Sequence, residues 1–573
     1  MNIRWIPLLE VARWALLGLL VYAPWAYGAT RPWAKISLAW ALLALLPVFV
    51  AGLLQRHRWP RVPVPVLAVT LLLLAQGWGM AWNAWEKFDG ATFTFAPVEQ
   101  WLPGWPGAVD GEWCSQAMLA VSGLAVALWI VCDLAAHPAW RSRLLWTIAI
   151  AGASIAVLGL VQRMTGAHEI FWGNANVAGG TFFATYRYHA NAGAFLNLVL
   201  PFVAVAVAWT FRGTGSSLRR AFWPMALLLV GAAAFVNISR AAMAITLVLL
   251  VILAIWFFLE TTKTRHIHRL VRWGLPTVVL GLVFLSSWAF GLQATFEKWS
   301  SGESFEANSR LVVYGAIRSE MLPAIGNFGF GPGTFQITFP FYSTGVAEKI
   351  PGIWRYAHQD YLQALVEWGW IGGALWAGLF LGGGLLGTWR LVRRGSRMGF
   401  EESSLLFASL LSLGGILLHA MGDFPLQIAS LRLYAVCALG LCWSLGKPGR
   451  TERRTLSDAG YPPQSRETQP CGSPGSALVA VPIACGLALV GCCAAPQNES
   501  LRAVERHLQS KQQRALALHA NELQERREAR EEQAMLKAME QAALPDFRDA
   551  PDVVPTVPPK SPPPRGGSAP GTL

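Results

Sequence analysis

The chain alternates between long apolar runs and short polar connections over its first 446 residues. A helix of about 20 apolar residues is long enough to cross a hydrocarbon core of about 30 Å. Twelve runs of this kind predict membrane spans, at residues 8–28, 36–54, 63–82, 115–136, 144–162, 190–210, 221–237, 241–259, 274–293, 361–388, 402–420 and 429–446. A weaker thirteenth run lies at 477–493. The pattern therefore predicts an all-α polytopic membrane protein.

The composition agrees with a membrane protein. Hydrophobic residues make up 54% of the chain and charged residues only 14%, whereas an ordinary soluble domain has about 25% charged residues. The mean hydropathy is +0.39. These values exclude a secreted disulfide scaffold, a disordered chain and a cytosolic enzyme. The eight cysteines show no spacing typical of metal ligands.

Positive charge is concentrated in alternate connections between the predicted spans. Six of them, together 52 residues long, hold 20 Lys and Arg residues: 55–61, 137–143, 211–220, 261–272, 390–397 and 447–454. The other six connections total 142 residues and hold only 11. By the positive-inside rule, we expect the basic loops and the N-terminus in the cytoplasm. The same rule accounts for the net charge of +13 without nucleic acid.

Two of the predicted outer loops are long. The loop 294–360 has 67 residues, many of them Phe, Tyr, Trp, Ile and Gly. Long loops in compact proteins are usually functional or disordered, and this composition favours a folded extracytoplasmic lid. The loop 83–113 carries Trp85, Trp101, Trp105 and Trp113. Tryptophans are typical both of membrane-interface belts and of sugar-binding loops, and composition alone does not separate these uses.

The chain changes character after residue 446. We predict a membrane domain at 1–446 and a polar linker at 447–476, followed by the possible extra span at 477–493. Residues 498–543 then read as a charged helical segment, and residues 544–573 as a proline-rich disordered tail. The side of the membrane on which the tail lies depends on whether 477–493 spans.

Several arginines lie where the predicted outer loops meet the membrane. Arg240 is wedged between two apolar runs, where an arginine is either functional or a snorkelling anchor. Ser309 is predicted to cap a helix that begins at Arg310. On that helix Arg310, Tyr314 and Arg318 share one face. The alternative is an ordinary solvated helix face.

Three further stretches of the outer loops carry candidate chemistry. His358 lies where the loop re-enters the membrane and could take a proton from a hydroxyl, oriented by Asp360 or Glu367. An ordinary histidine at the interface is the alternative. The glycine-rich stretch 326–335 could cradle an anion, but a tight turn is favoured. In the stretch 419–427, Asp423 could pair with an arginine, but a helix-ending turn before Pro425 is favoured.

Together these residues suggest chemistry on a lipid-linked substrate. Arginine matches a diphosphate because its planar fork fits phosphate oxygens and it stays protonated. A diphosphate held at the membrane interface implies a lipid carrier. No cluster of acids typical of a metal site is visible in the sequence. The pattern predicts glycosyl transfer from a polyprenyl-diphosphate sugar, with histidine activating an acceptor hydroxyl.

Four stretches, in this order, resemble the O-antigen ligase and polymerase superfamily over roughly residues 10–446. They are Thr181 to Asn191 before a Pro201-bearing helix; Ser239-Arg240-Ala241; Ser309-Arg310 with Gly329 to Phe335; and Ala357 to Leu362 with Glu367-x-Gly369-x-x-Gly372. The sequence departs from the usual pattern at Gln359 and at Tyr188-His189-Ala190-Asn191.

The resemblance implies a multi-helix membrane glycosyltransferase of the bacterial inner membrane with its active site on the periplasmic face. It implies inverting transfer of a glycan from undecaprenyl diphosphate, without a metal or nucleotide cofactor. By the same resemblance, Arg240 and Arg310 would bind the diphosphate and His358 would be catalytic. The secondary candidates are Arg187, Arg318, Arg355, Asp360 and Asp423.

The acceptor stays open. A ligase would move a finished glycan onto lipid A core in lipopolysaccharide biosynthesis. A polymerase would extend an O-antigen or exopolysaccharide, and a protein O-oligosaccharyltransferase would use protein hydroxyls. From another class, a lipid-linked glycan transporter or flippase would place its binding groups near the bilayer midplane, on related halves of the molecule. In this chain the candidate groups lie at the outer interface, and the long loop occurs in the second half only.

Overall fold

The computed structural model describes residues 7–90, 94–173, 182–212, 217–262, 281, 304–350 and 354–446. The described chain is mainly helical. In chain order its helices are α1 Leu8–Trp25, α2 Pro32–Gln55, α3 Val64–Trp82, α4 Gly111–Leu134, α5 Pro138–Met164, α6 His189–Arg212, α7 Ser217–Val236, α8 Arg240–Thr262, α9 Ser304–Ala316, α10 Phe335–Tyr342, α11 Asp360–Arg394, α12 Phe400–His419 and α13 Ala429–Ser444.

Two short strands, β1 Glu86–Asp89 and β2 Thr94–Pro97, pair in one small sheet. Residues 88–96 belong to a compact unit separate from the one that contains the helices. The candidate site is built only from the helical unit.

Ten of the described helices are long and apolar enough to cross a membrane. Eleven of the twelve predicted spans coincide with described helices. Ten of these are the helices just counted, and the last, α13, is also apolar but has only 16 residues. The all-α polytopic membrane fold is therefore confirmed. The predicted span 274–293 and the segments 447–476, 477–493, 498–543 and 544–573 lie outside the described residues.

Several helices begin earlier than their apolar runs. Helix α5 starts at Pro138, so Arg141 and Arg143, predicted in a loop, lie on the helix. Helix α4 starts at Gly111, where the Asp110 carboxylate accepts a hydrogen bond of 2.8 Å from the Trp113 backbone N–H. Hydropathy marks the part of a helix in the hydrocarbon, whereas proline and capping residues mark where the helix begins.

Helix α6 is the most buried of the candidate spans. It holds α8 through Asn197, whose amide donates to the Ala242 carbonyl at 3.0 Å and whose oxygen accepts from Thr246 at 2.6 Å. A Cβ added at Gly193 would lie 2.4 Å from the Ala242 Cβ and the Asn237 Nδ2, so glycine permits this close approach. Small residues and buried amides commonly join helices within membranes. The starts of α6 and α8 are thereby fixed together.

A buried group of charges, here called the Asp133 cluster, ties α1 and α4 to the α2–α3 connection. Asp133 accepts hydrogen bonds from Arg13 at 2.7 Å, from Arg58 at 2.7 and 2.9 Å, and from the Arg61 backbone at 3.1 Å. The side chains of Arg13 and Asp133 are 1% and 0% exposed. An ion pair this deeply buried persists only with such complete pairing.

Helix α11 is broken near the loop face by Gly369, which has φ 65° and ψ −168°. The loop 326–333 fills the break, since the Phe330 N–H donates to the Val366 carbonyl and the Ile371 N–H to the Asn327 carbonyl. A Cβ at Gly369 would lie 2.4 Å from the Asn327 oxygen. Glycine is therefore required here, because any side chain would displace the loop.

Candidate functional site

Five polar side chains meet where α6 and α11 begin and where α12 ends. They are Tyr188, Arg310, Tyr314, His358 and Asp423, and together they are called the His358 cluster. Helix α9 supplies Arg310 and Tyr314, while the turn after α12 supplies Asp423. The loop and the membrane helices thus build the cluster jointly.

The backbone of His358 is strained but firmly held. Its φ of 53° lies in the left-handed region, which is uncommon for a residue with a side chain and costs on the order of 1–3 kcal/mol. Its carbonyl accepts a 2.6 Å hydrogen bond from the Tyr314 hydroxyl. On either side, Ala357 donates to the Gln363 side chain and Gln359 caps Leu362. These bonds fix the direction of the imidazole.

The imidazole of His358 is aimed by Asp423 and packed by aromatic rings. Its Nδ1 lies 3.5 Å from Asp423 Oδ1. The Trp354 and Phe424 rings stand edge-on to it, with centroids 5.0 and 4.7 Å away. Nδ1 is buried, yet the side chain is 23% exposed. The accessible part is therefore the rest of the ring, which carries Nε2.

Asp423 is a buried carboxylate, 5% exposed. Its Oδ1 accepts a 2.9 Å hydrogen bond from the Phe424 backbone N–H. Burial alone would raise the pKa of Asp423, but the contact with His358 and the nearby His419 and Arg310 outweigh burial and hold this pKa below its usual value. Asp423 is therefore charged at neutral pH and able to orient the imidazole.

Arg310 is a partly buried cation whose described hydrogen bonds go to neutral oxygens. Its Nη1 donates to the Gly422 carbonyl at 2.9 Å and its Nη2 to the Tyr188 hydroxyl at 3.2 Å. Burial alone would lower the pKa of Arg310, but Tyr188, Asp423 and Tyr314 outweigh burial and raise it. The guanidinium is thus a permanent positive charge.

The prediction that Ser309 caps a helix starting at Arg310 is wrong, because α9 begins at Ser304 and Ser309 is buried within it. Arg310 and Tyr314 lie on one face of α9, as their spacing of four residues indicates, and both belong to the His358 cluster. Arg318 instead is exposed in a π-helical turn at Ile317–Met321.

The other predicted arginines lie on the same side of the molecule with exposed side chains. Arg240 begins α8, whose start packs against Gly193 near the start of α6. Arg187 directly precedes Tyr188, and Arg355 lies between Trp354 and Tyr356, next to the cluster. The structure thus brings Arg310, His358 and Asp423 together, with Arg240 at the start of α8 and Arg187 and Arg355 next in sequence to Tyr188 and Trp354.

Asp360 and Glu367, the carboxylates expected to orient His358, have other partners. Asp360 accepts from the Leu426 backbone at 2.7 Å and from the Gln427 amide at 2.9 Å, which joins the start of α11 to the turn before α13. Glu367 accepts from Gln363 at 2.9 Å and from backbone N–H groups of the glycine-rich loop, at Gly333 and Phe335. The loop therefore cradles the protein's own carboxylate, in keeping with the favoured tight turn.

Sequence reasoning missed the aromatic support of the cluster. Phe424 is stacked between Tyr188, at 5.7 Å, and Tyr356, at 4.5 Å between ring centroids. His419, 2% exposed, has no hydrogen-bond partner for either ring nitrogen among the described residues. The one local signal was the aromatic and polar stretch around Asp423 between two apolar runs. Its pairing partners lie far away in the chain.

The arrangement combines a permanent cation with an imidazole backed by a carboxylate. Such a pair is suited to removing a proton from a hydroxyl, while the cation offsets negative charge that develops nearby. In the part of the chain that the structure describes, no group of three or more His, Cys, Asp or Glu side chains is placed to hold a metal ion. Arg310 is the cation that the cluster itself provides.

Residues 225–377 match the family model described as O-antigen ligase. The matched range runs from α7 into α11 and contains Arg240, Arg310 and His358, while Asp423 lies beyond it. No curated protein and no solved structure matches the chain.

Proposed function

We propose that this chain, whose residues 225–377 match the O-antigen ligase family of glycan ligases and polymerases, transfers a glycan from undecaprenyl diphosphate to an acceptor hydroxyl. The proposal rests on one observation above all. Arg310, His358 and Asp423 meet at one point on the face of the molecule that carries the long loop. The membrane would be the bacterial inner membrane and the face periplasmic.

His358 would act as the general base. With Nδ1 turned to Asp423, its Nε2 takes the proton of the acceptor hydroxyl as that oxygen forms a bond to the anomeric carbon. The bond from the anomeric carbon to the diphosphate oxygen breaks on the opposite side, so a single displacement inverts the centre. Asp423 stabilises the imidazolium that results, as the aspartate does in a Ser-His-Asp triad.

Arg310 would stabilise the leaving diphosphate. Negative charge grows on its oxygens as the bond breaks, and a charged guanidinium fork is suited to receive two of them. Arg240 would bind the same diphosphate from the start of α8. No metal or nucleotide is required for this scheme, since arginine supplies the positive charge and the lipid diphosphate is the leaving group.

An apolar cavity among the helices would suit the lipid carrier. It has a volume of about 430 Å³ and lies between α3, α4, α11 and α13. Its polar end includes Asp360, Gln427 and Arg432, and Gln427 is four residues from Asp423. A polyprenyl chain in this cavity would keep its diphosphate close to the His358 cluster.

Reconstitution of turnover tests this function. The purified chain is given undecaprenyl-diphosphate glycan, with or without lipid A core, and release of undecaprenyl diphosphate is followed in parallel with His358→Ala and His168→Ala. His168 is exposed on the same side of the molecule and is the matched control. Release that requires both lipid A core and His358 identifies a ligase that builds lipopolysaccharide.

Other results assign the acceptor differently or reject the proposal. Release with a lengthening glycan and no lipid A core identifies a polymerase, and release that requires a protein acceptor identifies a protein O-oligosaccharyltransferase. Movement of intact lipid-linked glycan across the vesicle, with no release under any condition, would replace glycosyl transfer by transport.

A further inference from the structure

A second cavity, of about 940 Å³, opens beside the end of α3 and shares no lining residue with the His358 cluster. It is called the Trp pocket and is defined by Trp82, Trp101 and Trp105 with Gln76, Asn83 and Gln100. Apolar side chains that include Leu72 and Leu375 complete its lining. Its volume falls within the range of about 300–1,000 Å³ typical of small-molecule sites.

Trp101 and Trp105 lie on a loop that hydrogen bonds to Asn83 hold in place. Asn83 receives the Leu102 backbone N–H at 2.7 Å and donates to the carbonyls of Leu102 and Pro106 at 3.1 and 3.2 Å. Trp101 packs against Trp85, with ring centroids 6.5 Å apart. Trp105 remains 70% exposed and Trp82 83% exposed. Two large aromatic surfaces are thus held open at the mouth of the cavity.

Gln76 brings an unpaired acceptor to the same cavity. Its side chain is 9% exposed, and its Nε2 donates to the Trp368 carbonyl at 2.9 Å. Its Oε1 is buried with no hydrogen-bond partner among the described residues. A buried acceptor that lacks a hydrogen bond destabilises the folded state. Because Gln76 lines the cavity, a reorientation of its amide would let a hydroxyl of a bound molecule satisfy this acceptor.

The lining selects the class of ligand. None of its side chains is charged, so the cavity suits a neutral group better than a diphosphate. Indole faces cover apolar surface while side-chain amides hydrogen-bond hydroxyls, and a sugar ring offers both. The leucines that line the cavity would pack against the apolar anchor of such a ligand. A belt of interfacial tryptophans would explain the exposed rings, but not the unpaired acceptor or the loop built on Asn83.

We infer that the Trp pocket binds a neutral sugar unit of a membrane-anchored glycan, at a subsite distinct from the His358 cluster. The role of that glycan as a substrate rests on the proposed function. The binding itself does not, because it depends only on the residues that line the pocket.

Photolabelling tests the inference without turnover. The full chain in liposomes is exposed to two probes with the same diazirine-bearing octyl chain, one with a glucoside head and one with a phosphocholine head, and labelled peptides are mapped by mass spectrometry. We expect the glucoside to label residues 72–83 and 97–106 preferentially. Trp105→Ala and Gln76→Leu should each reduce this labelling about tenfold, the equivalent of about 1.4 kcal/mol.

The controls separate this inference from the proposed function. Trp59→Ala removes a ring that is 90% exposed outside the pocket and should leave labelling unchanged, as should His358→Ala. Trp105 is exposed, so its removal tests the pocket even if Gln76→Leu fails to fold. Equal labelling by both probes, or glucoside labelling that survives Trp105→Ala, would overturn the sugar subsite. Glucoside labelling that depends on the pocket in a chain without transferase activity would overturn only the proposed function.

Discussion

The Asp133 cluster and the His358 cluster each place an arginine near a buried aspartate, but their hydrogen bonds differ. Both oxygens of Asp133 receive charged donors from Arg13 and Arg58. In the His358 cluster, Arg310 donates to a carbonyl and a hydroxyl instead of to Asp423. The first arrangement pairs its carboxylate with two guanidinium groups, whereas the second keeps a cation whose hydrogen-bond partners are neutral.

The two clusters also differ in what they leave unpaired. In the Asp133 cluster, the buried side-chain atom without a hydrogen-bond partner among the described residues is Arg13 Nε. Around His358 the exceptions are both ring nitrogens of His419, while His358 Nδ1 faces Asp423 at 3.5 Å without hydrogen-bond geometry. Buried polar groups are normally paired, so a concentration of exceptions needs an explanation. We interpret the paired cluster as a support of the fold and the unpaired one as a site prepared for substrate.

The largest effect expected from this comparison is on catalysis. His358→Ala should lower the rate of glycan transfer by roughly 10²–10⁴-fold, because a general base contributes about that much. Steady-state release of undecaprenyl diphosphate measures this rate, with His168→Ala as the control. A variant that keeps the wild-type rate would show that His358 is not the base.

The next effect is on stability. Asp133→Ala should lower the free energy of unfolding by about 3–5 kcal/mol, because it leaves the buried Arg13 without its counter-charge. Denaturant unfolding in micelles measures the loss. Glu10→Ala breaks the exposed pair with Arg56, where the side chains are 42% and 44% exposed, and should cost at most about 1 kcal/mol. Equal losses in the two variants would contradict the structural role of the buried cluster.

A smaller effect on catalysis is expected when the arginine at position 240 is replaced by a cation of another shape. Arg240→Lys keeps the charge but loses the fork, and should reduce kcat/KM about tenfold, as the loss of one charge-assisted hydrogen bond of about 1.5 kcal/mol would. Arg318→Lys, on the exposed π-helical turn, is the matched control. If Arg240→Lys were fully active, bidentate binding of the diphosphate by Arg240 would be excluded.

The smallest effect concerns pH. The pKa of Asp423 is lower in the folded chain than the usual value of about 3.9. Its charge therefore adds stability that is fully present above about pH 5 and is lost as the pH falls below 4. At pH 7 the free energy of unfolding of wild type should exceed that of Asp423→Asn by about 1 kcal/mol. This difference should disappear in acid. A gap that widens in acid, measured by thermal unfolding from pH 3 to 7, would contradict the lowered pKa.

The membrane helices were largely predictable from sequence, because apolar runs of about 20 residues have few other uses. The breaks were less visible. Gly369 interrupts α11 inside a continuous apolar run, and only the loop packed against it explains the interruption. Helix α9 begins at Ser304, before Ser309, because a residue suited to capping does not by itself mark the start of a helix.

The candidate site was predictable as a set of residues rather than as a geometry. Arg310 and His358 were selected because they lie in stretches that resemble the O-antigen ligase and polymerase superfamily, since an arginine or a histidine in an outer loop has ordinary explanations by itself. Asp423 could not be chosen over Asp360 from sequence. His358 and Asp423 are separated by all of α11 and α12, and the packing of those helices decides which carboxylate faces the imidazole. Tyr188 was likewise hidden, because its bond to Arg310 spans 122 positions.

Binding of a lipid diphosphate to Arg310 tests the central claim most directly. Thermal unfolding of the purified chain is followed with undecaprenyl diphosphate or undecaprenyl monophosphate, for wild type, Arg310→Ala and Arg318→Ala. Ligands that bind the folded state raise the melting temperature. We predict that the diphosphate stabilises wild type and Arg318→Ala more than the monophosphate does, and that Arg310→Ala loses this preference. An unchanged preference in folded Arg310→Ala would show that this arginine is not the cation prepared for the diphosphate.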